Sequence, residues 1–471
     1  MKHSRFSWIA AFAFSALAAV SLIGCGKEKS DAKTDAAGAG TATAETSAAA
    51  ETSAAAKTTA TADPSGAVVY DKTTARLEEG GIAYSFTNGA AAYKMVDRMF
   101  DSFDELIPQG VPEAKNIFDA IREFVGDELG LKTFLGSGTS VKQHGEYYRC
   151  IDFEYAPEHK GLFWDILGAD ASKGPAPELK LASPKSAVAV SARLEPGALY
   201  AFVDKKLRAK LDEETMAAID EQISSLHSAG IQPDKLLECV SGVAFYVEGC
   251  EFKKEDIQAA ITGEDAEANI AKLIPKFAFV FVTKSDLCWK ALENFVSQSS
   301  PELVQDGKIV PAEGFAIFQA GNYLVATNDE AAIRDRIAGK GADLTSNAEF
   351  AKMAALAGED FSGFSWASED YYKMIASFIS AINEANDGEV QTPDPSRLLL
   401  DGFHSVLCTA KIDPEGLTFT TITPDLQVAL LNSGTLPGFV SGLLPYIGTI
   451  AKAVAQSVDN IIVEDEAEPE N

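Results

Sequence analysis

Between Gly26 and Gly66 the chain contains no aromatic residue and no Leu, Ile or Val. A stretch of that composition cannot bury enough apolar surface to offset the entropy of ordering it. Any packed core must therefore come from the residues that follow. The near-tandem Thr43-Ala44-Glu45-Thr46-Ser47-Ala48-Ala49-Ala50 and Glu51-Thr52-Ser53-Ala54-Ala55-Ala56 is low complexity, with Thr and Ser interrupting the Ala runs. Residues 25–66 are expected to form a disordered tether, and some forty flexible residues reach about 35 Å. Roughly 400 residues remain beyond it, enough for two or three domains of ordinary size.

Ahead of the tether stand Lys2 and Arg5, then an almost wholly apolar run over 6–20, then Leu22-Ile23-Gly24-Cys25. A basic start, a short apolar core and small residues at the end are the three parts of an export signal. The apolar core is too short to span a bilayer as a permanent helix. Leu22-Ile23-Gly24-Cys25 resembles the lipobox of bacterial lipoproteins, with Ile23 where Ala or Ser is usual. The resemblance implies cleavage after residue 24, a diacylglycerol on the Cys25 sulfur and acylation of the new amine. Two or three acyl chains hold firmly where one holds marginally. Gly26 in place of Asp at the next position implies sorting to the outer membrane.

The formal charge of −29 argues against nucleic acid and against electrostatic docking to anionic lipid. Besides Cys25 there are five cysteines, Cys150, Cys239, Cys250, Cys288 and Cys408, whereas a disulfide framework calls for an even count. Cys239 and Cys250 bracket an apolar run; as one strand it holds them about 30 Å apart, beyond bridging. Most of these thiols are expected to be small buried hydrophobes.

Past the tether, period-2 and helical patterns alternate. A strand is predicted over 81–87, helices over 90–106 and 113–124, and strands over 131–135, 139–143 and 147–155. The order recurs: a strand over 187–193, helices over 199–211 and 213–226, a strand over 240–247; then a strand over 361–366, a helix over 371–382 and a hairpin of 405–411 with 417–422. Tyr93-Lys94-Met95-Val96, Tyr200-Ala201-Phe202-Val203 and Tyr372-Lys373-Met374-Ile375 each follow a strand serine (Ser85, Ser191, Ser365) by seven to nine residues. The predicted fold is α+β, with largely antiparallel sheets in threefold repeated strand-helix-helix-strand units. Between the second and third copies come a strand over 277–283, a helix over 287–298, a hairpin of 314–320 with 323–327, and a helix over 329–338. That order makes most of a split β-α-β module. The expected division is 1–24 signal, 25–66 tether, then α+β units over 67–175, 176–345 (with the split module) and 346–430, and 431–471 an apolar segment with an acidic tail. Residues 436–463 are too broken by Pro437 and Pro445 to span a membrane and are read as an amphipathic helix closing the core or a membrane- or ligand-covering flap.

Three stretches carry a second resemblance: Ser186-Ala187-Val188-Ala189-Val190-Ser191-Ala192-Arg193 with Pro196-Gly197-Ala198-Leu199, Lys276-Phe277-Ala278-Phe279-Val280-Phe281-Val282, and Asn322-Tyr323-Leu324-Val325-Ala326-Thr327. They are similar to exported, often lipidated bacterial envelope proteins that carry a domain-of-unknown-function label. The likeness is one of apolar strands and implies no activity.

Reactive constellations are not evident. His144 and His159 flank one strand region with Glu146 and Glu158 nearby, but without the spacing of a His-Glu-x-x-His metal helix, and are read as loop residues. His227 suits a helix C-terminus, and His404 reads as an edge residue. In Gly136-Ser137-Gly138-Thr139-Ser140 the serine lacks the spacing of a nucleophile elbow, and the segment is read as a turn. No phosphate loop, dinucleotide fingerprint, calcium loop or Cys-x-x-Cys occurs. No catalytic residue, metal ligand or cofactor is assigned; the one assigned site is lipid attachment at Cys25. The leading expectation is a non-enzymatic envelope lipoprotein with a binding or assembly role, held to the membrane by its lipid, whose folded part presents a surface to an envelope protein partner or an apolar ligand. The alternatives are a carrier or sensor of an apolar ligand in the periplasm and, last, an envelope hydrolase.

Overall fold

The computed structural model describes residues 66–104, 119, 122–168, 176–210, 213–228, 232–262, 269, 272–312, 314–358, 360–385 and 404–431. Its elements open with α1 (Gly66–Thr74), β1 (Ala83–Asn88), α2 (Gly89–Asp104), β2 (Gly136–His144), β3 (Tyr147–Tyr155) and α3 (Leu162–Leu167). Next come β4 (Ser186–Arg193), α4 (Pro196–Lys210), α5 (Glu213–Ser228), α6 (Pro233–Cys239), β5 (Val240–Glu248) and α7 (Lys254–Thr262). They are followed by β6 (Phe277–Thr283), α8 (Leu287–Ser299), β7 (Val304–Gln305), β8 (Lys308–Ile309), β9 (Ala316–Ala320) and β10 (Tyr323–Thr327). The chain continues through α9 (Glu330–Ile337), α10 (Ala348–Ala357), β11 (Gly363–Ala367), α11 (Glu369–Ala385), β12 (Val406–Asp413), β13 (Gly416–Thr423) and α12 (Leu426–Leu431).

All the described strands join one open sheet of 13, in the order β1-β2-β3-β13-β12-β11-β4-β5-β6-β10-β9-β8-β7. Neighbours pair antiparallel throughout. The C-terminal hairpin β12–β13 is thus inserted between the N-terminal strands and the middle of the chain. Its turn is clipped to the first helix: Arg76, just past α1, pairs with Asp413 at 3.1 Å and Glu415 at 2.8 Å, and Lys72 reaches Glu415 at 2.8 Å.

Residues paired across antiparallel strands share a face, so the register sorts the sheet into two sides. The back is sealed by α1, α9, α10 and a 3-10 turn at Pro177–Leu181. Ala189, Tyr246, Val280, Phe318 and Val325 pack there against Ile333, Leu344, Phe350 and Met353, while Ile151 and Phe153 meet Val69 and Leu77. On the front, Ala429 of α12 covers Val141 and Cys150, Trp164 of α3 covers Leu417, and Met374 of α11 covers Val188 and Val247. Strands β3 and β13 are covered on both sides, which explains why β3 is buried at seven of its nine positions.

Mixed α+β with antiparallel pairing is what the sequence leads one to expect; the finer organisation differs. The strand-helix-helix-strand unit is not established. Stretches 83–155 and 363–423 both run strand, helix, hairpin, and the predicted helix over 113–124 lies almost wholly outside the described residues. The three strand serines are not equivalent: Ser85 pairs with Thr139 and Ser365 with Cys408 on the front, whereas Ser191 points to the back, where it meets Glu178 at 3.3 Å. The strand, helix, hairpin, helix order of 277–337 is present: β10 lies between β6 and β9 and pairs antiparallel with both, so β6 and β9 run parallel on either side of it, as in a split β-α-β module. The expected strand over 131–135 is a 3-10 turn at Leu131–Thr133.

Gly136 and Gly138, expected from sequence to form part of a turn, lie in β2 and let α1 lie close. A Cβ at Gly138 would stand 2.7 Å from Thr73 Cγ2 and 2.9 Å from Leu77 Cδ1, and one at Gly136 would stand 2.5 Å from Thr73 Oγ1. The segment over 436–463, the tether and Cys25 lie outside the described residues.

Candidate functional site

The front of β3 carries Cys150, Asp152 and Glu154 in succession, and all three are buried, with Asp152 1% and Glu154 0% exposed. Alternation with Ile151, Phe153 and Tyr155 would normally mark such residues as a solvent face. Here β2, β13, α3 and α12 close over them, and buried carboxylates must find hydrogen-bond donors or stay neutral. Strand pairing supplies the donors. Thr139, opposite Asp152, donates its hydroxyl to Oδ1 at 2.5 Å, and Cys150 Sγ lies 3.6 Å from Oδ2. Ser137, opposite Glu154, donates to Oε1 at 3.0 Å. Glu154 Oε2 has no hydrogen-bond partner among the described residues.

Burial pushes Glu154 up to about 8, against the pull of the Ser137 hydroxyl and with help from the Asp152 charge. It is therefore mostly protonated at neutral pH. Burial also pushes the thiols of Cys150 and Cys408 up, and Cys408 meets the Thr421 hydroxyl at 3.3 Å. The two cysteines flank β13, each opposite Thr421, about 10 Å apart.

The other carboxylate buried to a similar degree, Glu178, sits on the back. Its carboxylate accepts from Ser191 and its carbonyl from the Tyr246 hydroxyl at 2.6 Å, which ties the 3-10 turn to β4 and β5. Nearby, between the sheet edge of β5–β6 and α9, the charges neutralise one another: Lys276 pairs with Asp329 at 3.0 Å and Arg336 with Glu248 at 3.3 Å.

His144 and His159 do not meet. They lie beyond opposite ends of β3, roughly 30 Å apart for a strand of this length. His144 pairs with Glu78 at 2.9 Å, beside Arg149. His159, at φ 45°, stacks on Trp164 with ring centroids 4.2 Å apart. Burial there lowers its pKa, against the pull of Asp413. Glu146 pairs with Lys352 and Glu158 with Lys160. His227 sits in the last turn of α5, 3.8 Å from Asp234, and His404 contacts Asp425 at 3.1 Å. Among the described residues no three His, Cys, Asp or Glu side chains are grouped to hold a metal, and no helix is long and apolar enough to cross a membrane.

Sequence reasoning missed the Asp152–Glu154 row. The one available cue was the matching run of hydroxyls, Ser137 and Thr139, two residues apart on the preceding strand. No family model matches the chain, and no curated protein and no solved structure matches it significantly.

Proposed function

We propose that this chain is a lipid-anchored envelope protein, placed on the outer membrane, whose folded part works by binding an envelope partner. The observation that carries the reading is Leu22-Ile23-Gly24-Cys25 behind a short apolar run, followed by a tether that ends where α1 begins. The buried row is enclosed away from solvent, with Asp152 and Glu154 closed off from any substrate, and this favours a binding role for the folded part. Large apolar side chains left exposed on α4 and α8, Leu199, Val203 and Phe295, give a partner something to bury. The test is membrane fractionation with a carbonate wash, comparing the natural chain with Cys25→Ser and reading acyl chains on the N-terminal peptide by mass spectrometry. A Cys25→Ser protein that stays in the membrane after the wash refutes the anchor.

A second reading, a carrier of an apolar ligand, draws on the front of the sheet. There Phe245, Phe279 and Phe281 are only half-buried while the residues behind them are sealed. Native mass spectrometry of the purified protein separates the two readings: a lipid-sized adduct favours the carrier, and the bare chain mass favours the partner surface.

A further inference from the structure

Two thiols meet where α6 and α8 come together. Cys239 is the last residue of α6 and 5% exposed; Cys288 is the second residue of α8 and half-buried. The chain ends that carry them are clamped: the Lys284 N–H donates to the Cys239 carbonyl at 2.7 Å. Cys239 Sγ lies 3.3 Å from both the carbonyl and the hydroxyl oxygen of Ser285, three residues before Cys288. Cys288 Sγ in turn donates to the Leu236 carbonyl at 3.5 Å, one helical turn before Cys239. The other described cysteines are not so placed. Cys150 and Cys408 stand on either side of β13, and Cys250 lies beyond the far end of β5 from Cys239.

The two thiols are unequal in the way exchange chemistry requires. Burial pushes Cys239 up, but hydrogen bonds from Ser285 and Cys288 outweigh it and leave the thiol below its ordinary value. Cys288 is pushed up to about 12, chiefly by burial. Disulfide formation proceeds by attack of a thiolate on a disulfide sulfur through a mixed disulfide, which a second thiol then resolves.

We propose that Cys239 and Cys288 are a modification site that closes into an intramolecular disulfide when the chain meets a small disulfide donor. Cys239, as thiolate, attacks one sulfur of the donor, breaks its S–S bond and releases one half as a thiol after protonation. Cys288 gives up its proton to solvent and attacks Cys239 Sγ, releasing the second half. The two protein thiols are oxidised by two electrons and the donor disulfide is reduced to two thiols. The bond joins α6 to α8 and encloses β5, α7 and β6 in one covalent loop. It does not depend on the lipid anchor.

The test uses the full chain treated with oxidised glutathione, denatured in iodoacetamide, digested and mapped by mass spectrometry. The expected product is a crosslinked pair of peptides containing Cys239 and Cys288, lighter by two hydrogens than the reduced pair, with Cys150, Cys250 and Cys408 alkylated. Alkylation of both Cys239 and Cys288, a lasting glutathione adduct without the crosslink, or a crosslink to Cys250 overturns the assignment. Cys288→Ser, at the more accessible position, guards against a folding failure. With nothing to resolve the mixed disulfide, Cys239 should retain glutathione several-fold more than in the natural chain, and equal retention in the two overturns the exchange route.

Discussion

Replacing Glu154 with Gln removes a titration while keeping side-chain volume and the acceptor for Ser137. The carboxyl is held at about 8 in the fold against an ordinary value of 4.5, chiefly by burial. A group raised on folding stabilises fully below its unfolded value and loses that contribution as pH climbs through the folded one. At 1.36 kcal/mol per pH unit the loss reaches about 3 kcal/mol at pH 7 and about 5 kcal/mol by pH 9. Because Glu154 is 0% exposed, screening by water does not reduce these figures. Glutamine does not ionise, but its Nε2 takes the place of Oε2, which has no partner among the described residues, at a cost of about 1–3 kcal/mol. Glu154→Gln should therefore be the less stable protein at pH 5 and the more stable by about 2–4 kcal/mol at pH 9. Urea unfolding at pH 5, 7 and 9, followed by fluorescence of the buried Trp164 and Trp366, measures the difference. Parallel pH profiles for the two proteins would refute the account of a buried neutral acid.

Three further perturbations bear on the fold. Gly138→Val forces a side chain into Thr73 and Leu77 and should cost about 1–3 kcal/mol, with amide exchange accelerating over residues 66–77 ahead of the sheet. Trp164→Ala empties a fully buried site stacked on Phe134 and His159; the expected loss is about 3–5 kcal/mol in urea. The same change should raise the His159 pKa toward its ordinary value by removing the cover that lowers it, read by NMR titration. Closing the Cys239–Cys288 bond around a loop of roughly 50 residues should stabilise by about 4 kcal/mol on the chain-entropy account, seen as a higher urea midpoint that is lost on reduction.

Regular elements with a clean period are legible in the amino-acid sequence. Strands over 147–155, 277–283 and 323–327 coincide with β3, β6 and β10, because alternating or continuous apolar runs between turn residues have few other solutions. The 3-10 turn at Leu131–Thr133 defeats the same rule: five residues, with Lys132 and Thr133 between Leu131 and Phe134-Leu135, are too few to reveal a period. What local pattern cannot carry is the order of strands. The insertion of β12–β13 beside β3 is a choice among long-range pairings, and it is what turns Asp152 and Glu154 from apparent surface residues into buried ones. The Gly136-Ser137-Gly138 segment looks like a turn for a similar reason. Its glycines answer to α1, more than sixty residues earlier, rather than to a turn in their own neighbourhood.

The inserted hairpin also sets a clock. β3 and β4 each lack a neighbour until residues 363–423 arrive, since β13 and β11 are their partners. At synthesis rates of about 5–20 residues per second, the roughly 260 residues between Tyr155 and Gly416 take roughly 15–50 s to appear. For that interval the chain carries two open sheet edges, with unsatisfied backbone amides and carbonyls that would pair with any extended segment nearby. A chain shortened before β11 would keep those edges permanently, and self-association of such a fragment is the behaviour this topology dictates.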